Sequence, residues 1–363
     1  MIDIKDNYCV ILAGGLGRRL WPCSRKNLPK QFIDFFGTGS TALQQTFDRF
    51  AKILPYQNIY VVTNEMYTDI VKEQLPDVNE DNILGEPIHR NTAPSIAWAA
   101  HHISHINPKA NIIVSPSDQL VINEDNFKRD VLQGFEFVTD NDRLLTMGVK
   151  PTRPEPGYGY IQIGEAADRN DVWSVKSFTE KPERDFAKMF MESGEFYWNT
   201  GLFLCQATSV LHSFESLLPV VLRQLDKENP NFTLEQERQF VKENYPLYPN
   251  ISLDYGILEK ASNVYVMRCD FGWADLGTWH SIYEQMDKDS DNNVIIDSNV
   301  IIDDSKNNIV KISEGKMAVI NGLDGYIVAE KDNVLVICKK GDSSALIRKY
   351  VNEIQMKLGD DFV

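Results

Sequence analysis

The chain has 363 residues, 43% of them hydrophobic and 25% charged, with a formal net charge of −15. That length exceeds one average domain and suggests a large α/β domain with a smaller one, while the acidic balance argues against a nucleic-acid partner. No apolar run approaches the ~20 residues that span a bilayer, residues 1–7 lack an apolar leader core, and five scattered cysteines without CxxC spacing fit a reducing cytoplasm better than disulfides or a zinc site.

Over the first 150 residues, short apolar runs alternate with helical spacing. The segments 8–13, 59–63, 83–84, 112–115 and 144–149 read as strands, and 42–53, 65–74, 93–105 and 126–139 as helices. Such alternation predicts a mostly parallel sheet covered on both faces, with ligand at the carboxyl ends of the strands. The loops after Ala13, Leu84 and Ser115 are therefore where chemistry is expected. His101, His102 and His105 share one predicted helix; HxxxH without a glutamate or third ligand predicts a solvated face and not a zinc site.

Between 151 and 276 the strands 158–163, 172–178, 202–205 and 264–268 and the helices 184–193 and 234–244, with a loop at Asn229–Pro230, read as an elaboration of the same sheet. The polar run 287–292 places a domain boundary at 288/289. Beyond it, NVIIDS from Asn293 and NVIIDD from Asn299 form a tandem six-residue repeat, a parallel β-helix signature. Further β-type runs lead to an amphipathic helix over 344–358, so 289–363 is read as a small C-terminal β domain with a terminal helix.

After the first strand comes GGLGRRLWPCSRKNLPKQF, from Gly14 to Phe32. Glycines there let backbone N–H groups approach phosphate oxygens, Arg18 and Arg25 offer forked donors, and Lys30 a mobile point charge. By charge alone the cluster Arg18, Arg19, Arg25, Lys26 and Lys30 fits a solvated basic loop as well as an anion site. A dinucleotide fingerprint fails because Leu20 stands where its last glycine belongs, and no glycine precedes the Lys-Ser/Thr pair of a Walker loop.

The pattern GGxGxRLxPxSR…PKQF resembles the signature of the sugar-nucleotide pyrophosphorylases, and PKQF points to their mannose-1-phosphate guanylyltransferase branch. EPIHRNTAPSI from Glu86, SPSDQ from Ser115, GYGYI from Gly157, FTEKP from Phe178, WNTGLF from Trp198, SLDYGILEK from Ser252 and DFGWADLGTW from Asp270 agree in order along the chain. The resemblance implies a Rossmann-like, GT-A-like nucleotidyltransferase fold, a mixed sheet flanked by helices over 1–288, followed by a short left-handed β-helix-like domain.

It further implies that Leu12, Ala13, Gly14, Gly15, Gly17, Arg18, Arg25 and Lys30, with Glu86, Arg90, Asn91 and Thr92, bind the nucleotide. Gly159, Glu180, Lys181, Asn199 and Gly201 would bind the sugar phosphate. Asp118 and Asp275 would hold Mg²⁺ or another divalent cation; without the family, each reads as a turn former or helix cap. Thr92 would equally cap the helix that follows it. Arg18, Lys30, Asp118 and Lys181 are the expected catalytic group, acting on GTP and mannose 1-phosphate to give GDP-mannose and pyrophosphate. A cytoplasmic enzyme with no membrane partner, a possible homodimer and no isomerase activity completes the expectation. Pyrophosphorylases for another sugar or base, and a catalytically silent relative, are the alternatives.

Overall fold

The computed structural model describes residues 4–169, 171–221, 233–341 and 343–363, and the chain forms two compact units. The first takes the described parts of 1–14, 47–116 and 121–273, the second those of 15–46, 117–120 and 274–363. This division departs from the expected cut at 288/289. Leu20, Trp21, Phe35, Trp279 and Ile282 bury their side chains in one apolar cluster with Val294, Ile309 and Ile327, so distant stretches of chain join the C-terminal β region. The loop expected at Asn229–Pro230 lies outside the described residues.

The strands in chain order begin with β1 (Asn7–Leu12), β2 (Ile59–Asn64), β3 (Ile83–Glu86), β4 (Asn111–Pro116) and the short β5 (Gln119–Val121). They continue with β6 (Leu144–Val149), β7 (Gly159–Ala166), β8 (Val172–Glu180), β9 (Phe196–Gln206), β10 (Val264–Cys269) and the short β11 (Trp273–Asp275). The helices are α1 (Ala42–Ala51), α2 (Thr68–Gln74), α3 (Thr92–Ile106), α4 (Glu124–Val138), α5 (Arg184–Ser193), α6 (Ala207–Leu217) and α7 (Leu234–Asn244).

Within the first unit a nine-stranded sheet runs β3-β2-β1-β4-β9-β6-β10-β8-β7. The first four strands are parallel, whereas β9 lies antiparallel to both β4 and β6, so the sheet is mixed. Tyr8, Val10, Tyr60, Val62, Ile112 and Val114 share a core cluster with Trp98 and Ile103 of α3 and Phe214 of α6. The alternate residues Cys9, Ile11, Val61 and Ile113 are equally buried, which is why these strands are apolar throughout and do not alternate. β9 is longer than the predicted strand at 202–205. Its register against β6 shifts between Thr146 and Gly148, and the irregularity at Thr200–Gly201 (Gly201 φ 74°) hides the strand pattern of its first half.

In the second unit, α8 (Trp279–Gln285) is followed by β12 (Val294–Ile295), β13 (Asn299–Asp303), β14 (Ile309–Lys311), β15 (Met317–Asn321), β16 (Tyr326–Lys331), β17 (Val334–Lys339) and α9 (Ser343–Leu358). β12, β14 and β16 stack in parallel, as do β13 and β15, while β17 returns antiparallel to β16. The two hexapeptides thus become consecutive strands in different ladders. Buried Asn293 accepts from the N–H of Asn308 (3.0 Å), and buried Asn308 accepts from the N–H of Tyr326 (2.8 Å), fastening successive layers at one corner. No described helix is long and apolar enough to cross a membrane, and all five cysteines are free and buried.

Candidate functional site

β1 ends at Leu12, and the N–H of buried Ala13 still reaches the carbonyl of Val62 (2.7 Å) before the chain leaves the sheet. A Cβ on Gly14 would stand 3.2 Å from Glu86 Oε2, so a bare backbone is needed beside that carboxyl. Gly17 has φ 60°, and a side chain there would strike Ser24 Oγ and come within 2.9 Å of Lys30 Cγ. Buried Gln31 donates to the Gly15 carbonyl (3.0 Å), and Ser24 donates to Leu16 (3.3 Å), so the glycine loop is braced from within its own motif. Arg18, on the short helical turn Arg18–Leu20, is exposed and can meet an anion.

Arg25 does not have that freedom, and its expected place among the nucleotide ligands is corrected. Its side chain is buried, with Nε donating to Pro22 O (3.3 Å), Nη1 to Asp361 O (3.4 Å) and Nη2 to Lys331 O and Asp332 O (2.7 and 3.1 Å). A guanidinium spent on four carbonyls holds the fold and has no fork left for phosphate.

In the same unit, Lys30 forms an ion pair with Asp118, and both are largely withdrawn from solvent. The carboxyl of Asp275 is raised above its ordinary range, chiefly by desolvation and also by Asp118, while Lys30, Arg19 and the N–H of Gly277 oppose the shift. A Cβ on Gly277 would lie 2.7 Å from Asp275 Oδ1 and 3.1 Å from Arg19 Nη2. Two carboxylates therefore converge with Lys30 and Arg19. Among the described residues no cluster of three or more His, Cys, Asp or Glu is placed to hold an ion. A two-carboxylate donor set instead fits a hard divalent cation whose coordination is completed by substrate phosphates and water. Arg19 was missed by sequence reasoning, because consecutive arginines carry no sign of which one turns toward the acids.

The first unit carries the expected base-reading and sugar residues. Glu86, 2% exposed, accepts hydrogen bonds on Oε1 from the hydroxyls of Ser95 and Tyr245. Desolvation pushes its carboxyl up to about 7, against the opposing pull of those two hydroxyls. Asn91, at φ 65°, caps α3 by accepting the N–H of Thr92 (2.9 Å). Thr92 is therefore not the cap; its hydroxyl accepts the N–H of Leu253 (2.9 Å). Arg90 donates to the Pro246 carbonyl.

Further along, a Cβ on Gly159 would fall 2.6 Å from Glu180 Oε2 and 3.4 Å from the Asn199 side chain, so these three residues adjoin. Glu180 pairs with Lys181, whose backbone sits in the left-handed region at φ 49° and whose N–H reaches Tyr158 O (3.2 Å). Asn199 accepts from the N–H of Gly201 and from Thr146 Oγ1 (both 3.1 Å) and donates to Asp254 Oδ1 (2.8 Å). Asp254 is raised by burial, with Asn199 and Lys181 acting against that. It joins Gly159, Glu180, Lys181, Asn199 and Gly201; its signal was the SLDYG segment. Tyr158 and Trp198 pack edge to face (5.1 Å) as buried core aromatics.

Of the histidine face expected in solvent, His105 is exposed, but the rest is covered. His101 and His102 are buried, and His102 Nδ1 lies 2.7 Å from Glu237 of α7, which also accepts from Trp98 Nε1 (3.0 Å). Periodicity marked the face but gave no sign of the helix lying on it.

Residues 8–292 match the nucleotidyl transferase family. A mannose-1-phosphate guanylyltransferase of Sinorhizobium fredii is 35% identical over 90% of this chain and 64% of its own length. One of Salmonella muenchen is 34% identical over 92% of this chain and 72% of its own. The chain thus spans less than two thirds of the length of the first relative and less than three quarters of the second. A Thermus thermophilus crystal structure, described as a mannose-1-phosphate geranyltransferase, superimposes with a TM-score of 0.84 at 26% identity, covering 96% of this chain and 99% of that one.

Proposed function

The chain belongs to the nucleotidyl transferase family, and on that footing we propose that it transfers GMP from GTP to α-D-mannose 1-phosphate, releasing GDP-mannose and pyrophosphate. The observation that carries the reading is the convergence of Lys30, Arg19, Asp118 and Asp275 behind a braced glycine loop. Such a group neutralises and orients phosphates; it contains no side chain arranged as a covalent nucleophile.

None is required. The second ionisation of a phosphate monoester falls near ~6, so the sugar phosphate is already an anionic nucleophile at neutral pH. Its oxygen attacks the α-phosphorus in line, the bond to the bridging oxygen breaks, and pyrophosphate leaves on the opposite side. Loop N–H groups, Arg18 and Lys30 hold the triphosphate as charge redistributes. Asp118 and Asp275 would hold a divalent cation, which supplies Lewis-acid polarisation of phosphate oxygens when bound. Glu86 offers acceptors suited to the N1–H and exocyclic N–H of guanine. Lys181 takes the attacking phosphate, and Glu180, Asn199 and Asp254 present polar atoms to sugar hydroxyls.

A pyrophosphate-release assay with four nucleoside triphosphates against several sugar 1-phosphates, with and without Mg²⁺, tests the reading. GTP with mannose 1-phosphate and Mg²⁺ should give the highest kcat/KM, and Arg18→Ala and Lys30→Ala should each lower it by about two to three orders of magnitude. Wild-type rates in both variants, or a clear preference for another pair, would refute the assignment.

A further inference from the structure

The 16–26 loop is tied by a segment far away in sequence. Gly359, at φ 81°, ends α9 with its N–H on Gln355 O (3.1 Å), and the chain then turns across the loop. Trp21 Nε1 donates to Phe362 O (2.7 Å), the backbone N–H of Lys26 to Val363 O (3.4 Å), and Arg25 Nη1 to Asp361 O (3.4 Å). Lys26 Nζ meets Asp360 Oδ2 (2.6 Å), whose other oxygen accepts from Gln355 (2.8 Å). Arg25 extends the tie to Lys331 O and Asp332 O in the β16–β17 turn, where Asp332 and Asn333 both have positive φ. The Trp21 carbonyl, in turn, accepts from Trp279 Nε1 (3.3 Å).

These partners reach the loop at Trp21, Arg25 and Lys26, and Asp360 also lies close enough to Arg18 to be stabilised by its charge. Gly15, Gly17 and Arg18, in the same loop, carry the groups assigned to phosphate. We propose that residues 359–363, acting through Trp21, Arg25 and Lys26, are a positioning element that sets the shape of the phosphate loop. The link to catalysis rests on the nucleotide assignment above; the clamp itself does not. Three of the segment's contacts are made by the main-chain carbonyls of Asp361, Phe362 and Val363, so any sequence following that path could supply them. The specificity lies on the loop side, in an indole N–H and a guanidinium. Arg25 is then a positioning residue for Arg18 and Lys30, although it touches no substrate.

Two variants of the chain separate the outcomes: one lacking residues 360–363, and Arg25→Lys, which keeps the charge but not the fork. Backbone amide exchange of the 16–26 peptides should rise about tenfold in both, with melting temperature nearly unchanged in the truncated protein and lowered in Arg25→Lys, where buried carbonyls lose their donors. KM for GTP should rise about tenfold while KM for mannose 1-phosphate stays within about twofold, since only the triphosphate meets the loop. Unchanged exchange and unchanged KM for GTP in both variants would overturn the clamp. So would an equal rise in both KM values with a lowered melting point, which marks general loosening. Faster loop exchange in a protein whose wild type releases no pyrophosphate would uphold the clamp and sink the proposed function.

Discussion

Glu86→Gln should stabilise the protein above neutral pH while weakening its use of GTP. The wild-type carboxyl is 2% exposed and lies near 7, against an ordinary 4.5. Between those values the folded chain keeps a proton that the unfolded chain has lost, so stability falls as pH rises across the window and levels off above about 7. At roughly 1.4 kcal/mol per pH unit the loss is about 3 kcal/mol. Gln keeps an acceptor for Ser95 and Tyr245 and has no charge to desolvate. Urea unfolding of both proteins at pH 4.5, 6 and 8 should show a difference that starts near zero and grows to about 3 kcal/mol in favour of the variant. Taking the difference cancels other titrating groups. In the same variant assayed at pH 8, where the wild-type carboxyl is ionised, losing a charged acceptor for guanine, worth about 1.5–3 kcal/mol, should lower kcat/KM for GTP roughly 10- to 150-fold. A stability difference that is flat with pH would refute the buried-acid argument, and undiminished GTP use would refute the base-reading role.

Gly277→Ala pushes a methyl to within 2.7 Å of Asp275 Oδ1; displacement of that carboxylate should cost about 10²-fold in Mg²⁺-dependent turnover and weaken the response to Mg²⁺ in a titration of rate against metal. Asn199→Ala removes the donor to Asp254 and the acceptor for Gly201, so KM for the sugar phosphate should rise about tenfold or more in steady-state assays, with KM for GTP little changed. Glu237 is held down to about 2 despite its burial, chiefly by hydrogen bonds from His101 and His102. Its stabilisation is therefore complete above about 4.5 and disappears as pH falls toward 2. Glu237→Gln should lower the melting temperature at pH 7 and flatten its acid limb between those values; equal melting curves would contradict the packing of α7 on α3.

Much of the first unit was legible because the signals were local. β1, β2 and β4 are unbroken apolar runs, and α3 and α4 carry helical spacing, so their order alone implied a covered parallel core. Lys30, Asp118 and Asp275 were picked out for another reason: the family resemblance named them together, and the structure brings their side chains into one group. What failed did so through distance. β9 looked short because a bulge at Thr200–Gly201 breaks its pattern, and His101 and His102 looked solvated because Glu237, more than a hundred residues on, gives no local sign.

Arg18 and Arg25 make the same point within one loop. Sequence by itself determined that this stretch is basic, turn-rich and stiffened by Pro22 and Pro29, because those properties belong to the residues. It could not determine which arginine is offered to a ligand, since both carry the same fork and the same charge. Tertiary structure decided it: the carbonyls of Lys331, Asp332 and Asp361 consume the donors of Arg25, while Arg18 faces solvent. The domain division was decided in the same way. A boundary drawn from a polar run sees only neighbours in the chain, whereas Leu20, Phe35 and Trp279 joined the β region because burying them there removes apolar surface from water wherever they lie in sequence.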